Sequence, residues 1–261
     1  MENSHTIGNI QAMTSSAYKT RIEDITPKNT VSALENGDRL TQVEFERRYD
    51  AMPHLKKAEL IEGIVYMASP LRITQHGEPH ASMIGWLMLY KASTPGVQLG
   101  DNCTVRLDAD NEPQPDALLR IEVEGQSKIS EDGYVEGAPE LIAEVAASTV
   151  SIDAHDKLKV YRRNQVQEYI IWRFQDRELD WFRLTEGKYI LLESNSQGII
   201  KSEVFPGLWL DTEALLSGNL AKVIEILQQG LTTVEHQNFV KQLSDRKERV
   251  NRISPYSPIE S

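Results

Sequence analysis

Short apolar runs separated by turn residues fill the middle of the chain, and their spacing predicts strands and helices in mixed order. Thr41 opens a helix with Glu44 in capping-box spacing. A strand is expected over residues 59–67, and Pro79 opens a helix running to about residue 90. Strands follow over 98–107, 116–123 and 140–146, then a helix over 153–164 and a strand ending at Trp172. Within that helix Ala154, Leu158 and Tyr161 recur at i, i+4 and i+7, which puts Lys157 beside the apolar stripe and Lys159 on the opposite side. Further strands are expected over 179–184 and 189–192, joined through Gly187. This order predicts an α/β (or α+β) fold with a central mixed β-sheet flanked by helices.

The ends read differently. Residues 1–36 lack sustained periodicity and are rich in Ser, Thr and Asn, which predicts a flexible arm before a main domain over 37–212. Leu215, Leu216, Leu220, Val223, Ile224 and Leu227 form a helical stripe within 213–231 that packs on the core or joins a second subunit as a homodimer. Residues 232–261 read as a charged tail ending in disorder. No apolar stretch approaches the roughly 20 residues needed to span a bilayer, and the N-terminus lacks a secretory pattern, so a cytoplasmic location is the expectation. Cys103 is the only cysteine, which excludes an internal disulfide and a multi-cysteine zinc site.

Candidate chemistry centres on Asp116, Glu144 and Lys157. Asp116 opens the run QPDALLRIEV, Glu144 sits inside ELIAEVAAS, and Lys157 follows in DAHDKLKVYRRN. Magnesium or manganese takes oxygen ligands, commonly one or two carboxylates, with substrate phosphate completing the shell. Asp116 and Glu144 are the candidate metal ligands, and Lys157 the group that orients water or supports developing charge. Glu144 stands out because a carboxylate among Leu141, Ile142, Ala143, Val145 and Ala146 is costly to bury unless paired or metal-bound. The bland alternatives are strand acids and an Asp153–Lys157 surface pair.

Several separated motifs carry a resemblance: ELIEG from Glu59, HGEPHASMIGWL, QPDALL, ELIAEVAAST, DAHDKLKVY, VQEYIIW and FPGLWL. In this order they resemble the Uma-type restriction endonucleases, a branch of the PD-(D/E)XK nuclease superfamily, over about residues 40–216. The resemblance implies a restriction-endonuclease-like core, with Asp116 and Glu144 as first and second metal-binding acids. Ala146 stands where the superfamily lysine would be, and the resemblance places that lysine at Lys157 on the following helix. It also favours Glu59 as an accessory acid, with Asp153 and Tyr161 flanking Lys157 in the same pattern.

Other features qualify this picture. A net charge of -11 opposes simple electrostatic attachment to nucleic acid, although DKLKVYRR is locally basic and makes Arg162 and Arg163 phosphate-contact candidates beside the alternative of a solvated helix face. His76 and His80 have metal-like spacing, but Gly77 and Pro79 are expected to interrupt the helix that would align them. His80 is then a hydrogen-bond donor or proton carrier facing the cleft, or a structural cap. Glu59 and Glu62 are expected on opposite faces of one strand. No phosphate-binding GxxxxGK loop, GxGxxG fingerprint or GxSxG elbow is present. The sequence therefore predicts a metal-dependent DNA endonuclease, with a noncatalytic module on a nuclease-like fold as the alternative and a nucleotide or RNA phosphoesterase as a third reading.

Overall fold

The computed structural model describes residues 31–67, 72–146 and 152–253, without the side chains of 75, 152–154 and 253. Most of the expected arm over 1–36 lies outside the described residues, as do 254–261. The described residues from Ala33 onward belong to one compact unit.

Helix α1 (Gln42–Asp50) starts after Thr41, yet Thr41 makes no side-chain cap. Glu44 instead bonds Arg47 and Arg48 at 2.7 and 2.6 Å. The single strand expected over 59–67 is a hairpin, β1 (Ala58–Ile61) and β2 (Ile64–Met67). Glu62 and Gly63 take φ of 51° and 71° between them, the paired positive angles of a two-residue hairpin turn.

A wide π-helical turn, Ile73–Gly77, leads without a break into α2 (Glu78–Ser93), whose second residue is Pro79. Next come β3 (Val97–Asp101) and β4 (Val105–Arg106), separated at Asn102, whose φ of 51° interrupts the strand expected over 98–107. Then follow β5 (Ala117–Ile121), β6 (Lys128–Ile129), β7 (Val135–Glu136) and β8 (Leu141–Ala146). A second π-helical turn, Ile152–Lys157, runs into α3 (Leu158–Arg163). Strands β9 (Glu168–Arg173), β10 (Glu178–Thr185) and β11 (Lys188–Leu191) complete the central sheet. A small pair, β12 (Ile199–Lys201) and β13 (Trp209–Asp211), precedes α4 (Thr212–Leu216), α5 (Leu220–Leu231) and α6 (Val234–Ile253).

The central six-stranded sheet has the order β11-β10-β9-β8-β5-β3. Only its β8–β9 pairing is parallel, bridged by α3; the others are antiparallel. Such a mixed sheet flanked by helices is the expected class. Side chains alternate across it. Leu141, Ala143 and Val145 of β8 pack with Met83 and Leu87 of α2 and Leu227 of α5. Ile142 and Ala146 face the other way, with Val160 and Tyr161 of α3. Glu144 shares the parity of that second face.

Part of the C-terminal stripe packs within the chain: Leu215, Val223 and Leu227 are buried in the first cluster, while Leu220 and Ile224 are exposed. The stretch read as a charged tail from residue 232 is helical over Val234–Ile253. Phe239 and Leu243, four apart, anchor it in the same core, while Arg246 and Arg249 approach Glu124 at 3.7 and 3.0 Å. Phe239 and Leu243, together with buried His236, form the inward side of a helix whose remaining positions are mostly polar or charged. Among the described residues no helix is long and apolar enough to cross a membrane.

Candidate active site

Asp116 immediately precedes β5, and Ala117 pairs with Ala143 in β8, so Asp116 and Glu144 meet at one end of adjacent strands. They are buried, at 4% and 2% exposure, and linked through the main chain. The Asp116 N–H donates to Glu144 Oε2 at 3.3 Å, and the Val145 N–H donates to Asp116 Oδ2 at 2.8 Å. The π-helical turn before α3 brings Lys157, 3% exposed, over the same spot. Its Nζ lies 2.8 Å from Glu144 Oε1 and 2.9 Å from Glu59 Oε1. The structure thus brings Asp116, Glu144, Lys157 and Glu59 together, and Ala146 is buried among the apolar side chains on the Glu144 face.

Tyr161, one turn beyond Lys157, donates its hydroxyl to Glu144 Oε1 at 2.9 Å. Its ring is fixed edge-on to Tyr169 with centroids 4.9 Å apart. Burial, and then the charge of Glu144, push its phenol well above the ordinary value, so it stays a donor. The Asp153 side chain lies outside the described residues. Lys159 is exposed and 3.6 Å from Asp156.

The hairpin corrects the geometry expected for Glu59 and Glu62. Glu59, on β1, accepts the Gln114 N–H at 2.7 Å as well as Lys157. Glu62, displaced into the turn, pairs with Arg163 at 2.8 Å. Arg163 also reaches Asp108 at 3.3 Å, so it is tied into surface ion pairs, and Arg162 beside it is exposed.

The histidine expectation is also corrected. Gly77 and Pro79 do not interrupt the element, because the π-helical turn passes through Gly77 into α2 and sets both imidazoles on one side with centroids 5.6 Å apart. His76 Nε2 is 3.2 Å from Asp116 Oδ2. His80 Nε2 is 3.0 Å from the Asp116 carbonyl oxygen and 3.2 Å from Asp101 Oδ1. Burial raises the Asp116 pKa, but the His76 hydrogen bond, the Lys57 charge and the Val145 N–H outweigh it and hold the carboxyl well below its usual range.

Residues 43–213 match the Uma2 family, described as "Putative restriction endonuclease". The chain belongs to this family. Among solved structures, a "putative nuclease belonging to DUF820 from Anabaena variabilis" aligns with it at 12% identity and a TM-score of 0.49, covering 64% of this chain and 96% of that one. No curated protein sequence matches the chain.

In this Uma2 site Lys57 escaped sequence reasoning, and His76 entered it only as half of a metal-spaced pair. Lys57, whose Nζ is 3.5 Å from Asp116 Oδ1, lies two residues before Glu59, and strand alternation would have set both on one face. His76 reaches Asp116 only through the wide turn, which residue spacing does not announce. Among the described residues, no group of three or more His, Cys, Asp or Glu is arranged to hold a metal ion. The carboxylates are instead balanced by Lys57 and Lys157.

Proposed function

We propose that this chain is a DNA endonuclease that hydrolyses phosphodiester bonds with the help of magnesium or manganese. One observation carries the reading: two buried carboxylates from adjacent strands, joined by main-chain hydrogen bonds, share their site with a buried lysine. Membership of the Uma2 family supports a nuclease-like activity.

The donor set fits a hard divalent cation. Asp116 and Glu144 supply carboxylate oxygens, and such ions are commonly held by only one or two carboxylates, with water and substrate phosphate filling the shell. That accommodates the lack of a ready three-ligand group. When bound, the ion would lower the pKa of water and polarise the phosphoryl oxygen.

The chain's own groups do the positioning. Val145 N–H fixes Asp116, while Tyr161 and Lys157 fix Glu144, so neither carboxylate has to reorganise. Lys157 Nζ orients the attacking water or compensates charge gathering on the phosphate oxygens, and Glu59 holds it there. His80 braces the Asp116 main chain. Water adds to phosphorus, the P–O ester bond breaks, and the leaving oxygen takes up a proton, with no covalent enzyme intermediate. Arg162 is the freer of the two candidate phosphate contacts.

The test is cleavage of plasmid and oligonucleotide DNA by the purified chain with and without added magnesium. Asp116→Asn and Glu144→Gln should each lower the rate by about 100-fold or more. Undiminished cleavage in both variants would defeat the assignment. The net charge of -11 and the sealed Lys157 favour one competitor, a noncatalytic module on the same fold. That reading predicts neither cleavage nor magnesium binding by calorimetric titration. A parallel panel of RNA and nucleotides separates the remaining phosphoesterase reading.

A further inference from the structure

A groove of about 400 Å³ opens beside the candidate site, its lining including Tyr49, Tyr134, Asn102, Thr104, Gln114 and Lys56. It shares two walls with the acids. Asn102 accepts a hydrogen bond from Lys57 Nζ at 3.2 Å, and its own N–H donates to the Asp116 carbonyl at 3.3 Å. Gln114, two residues before Asp116, is tied through its N–H to Glu59 at 2.7 Å.

The lining is oriented before anything enters. Gln114 is 6% exposed. Its amide nitrogen donates to Thr104 Oγ1 at 3.0 Å and Tyr49 Oη at 3.3 Å, which fixes the side-chain amide in the groove wall. The Arg106 guanidinium covers one face of the Tyr134 ring, 4.3 Å from its centroid, and is itself held by Asp132 at 2.8 Å.

Charge decides what fits. Lys56 and Asp50 offset one another in the lining, and the chain carries a net charge of -11, so the groove has no field with which to draw a phosphate chain. A flat neutral ring with donor and acceptor edges suits tyrosine rings and fixed amides, and unpaired bases are recognised by such stacking and edge contacts. A base inside an intact duplex is already stacked and paired. We infer that the groove takes one unpaired nucleobase next to the phosphate to be cut, so that single strands, frayed ends and displaced bases are preferred over uninterrupted duplex. The assignment of what lies beside the groove rests on the nuclease reading, whereas binding is measured without cleavage.

The experiment is fluorescence anisotropy of a labelled single strand, and of the duplex made from it, with the full chain in EDTA. The single strand should bind about tenfold or more tighter than the duplex. Tyr134→Ala should weaken single-strand binding by about tenfold, and Tyr134→Phe should stay within about twofold of the parent. Thermal melting checks the fold; if Tyr134→Ala melts early, Asn102→Ala decides, with a several-fold loss expected. Equal affinity for strand and duplex, binding of neither, or a folded Tyr134→Ala (or, in its place, Asn102→Ala) with parental affinity would overturn the inference. Tyr134-dependent strand binding without any magnesium-dependent cleavage would sink the nuclease reading and leave this one standing. Cleavage of strand and duplex at equal rates would do the reverse.

Discussion

Glu144 and Glu168 stand on neighbouring, parallel-paired strands and are both buried, at 2% and 0% exposure, yet their carboxyl groups keep different company. Glu168 Oε2 accepts from Ser202 Oγ at 2.7 Å and Trp181 Nε1 at 3.2 Å. Its Oε1 accepts the Glu203 and Val204 N–H groups at 2.8 and 3.1 Å. Those donors are all neutral, and burial leaves its pKa raised despite them. Glu144 meets the Lys157 ammonium, a tyrosine hydroxyl and the main chain of a second acid. The difference teaches that burial of a carboxylate in an apolar strand is not in itself a mark of chemistry. Glu168 staples β9 to β10 and to the 202–204 segment; Glu144 is set among charges.

The largest effect that could break this contrast is on cleavage. Asp116→Asn and Glu144→Gln should cost about 100-fold or more in rate, whereas Glu168→Gln should leave the rate per folded molecule unchanged. Equal losses in all three, measured on samples of matched folded fraction, would erase the distinction. Lys157→Met comes next, because it leaves Glu144 and Glu59 facing each other without the cation. Breaking a buried pair by removing one partner costs roughly 3–5 kcal/mol, to be read from urea midpoints. A loss below about 1 kcal/mol would mean that water already screens the site.

Glu168→Gln should cost about 1–3 kcal/mol, since the amide sets its NH2 against either the Glu203 and Val204 N–H groups or the Ser202 and Trp181 donors. The last effect, small over any one pH unit, is a stability slope at a third buried acid, Glu112. Burial, opposed by the Gln42 hydrogen bond and reinforced by the Glu46 charge, pushes its pKa from 4.5 up to about 8. The folded chain therefore holds this proton more tightly than the unfolded chain. The contribution is full below pH 4.5 and is lost as pH rises toward 8, at up to about 1.4 kcal/mol per pH unit. Glu112→Gln should flatten that part of the stability profile; an unchanged slope would show that the acid is not the source.

Much of the site was legible because the two acids lie in runs whose period is unambiguous, and helical spacing separated Lys157 from exposed Lys159, although Lys157 reaches the site through a π-helical turn and not an ordinary one. A similar signal would have promoted Glu168, which opens the run EYIIW, so an apolar neighbourhood locates buried acids without sorting them. What stayed hidden depends on backbone departures of one residue. The turn at Glu62 split one expected strand into two and separated Glu59 from Glu62 by position rather than by face. The docked C-terminal helix was hidden for a compositional reason: Phe239 and Leu243 are outweighed by charged neighbours in any local average.

The two π-helical turns have a consequence of their own. A wide turn holds one residue more than an ordinary helical turn, and each residue of helix carries about 100° of rotation. Ahead of α2 and α3, that extra residue acts as a phase slip, aiming His76 and Lys157 independently of the faces that Met83 and Val160 press into the two cores. Deleting a single residue from either turn would re-point the side chain at the site while the helix behind it keeps its seat.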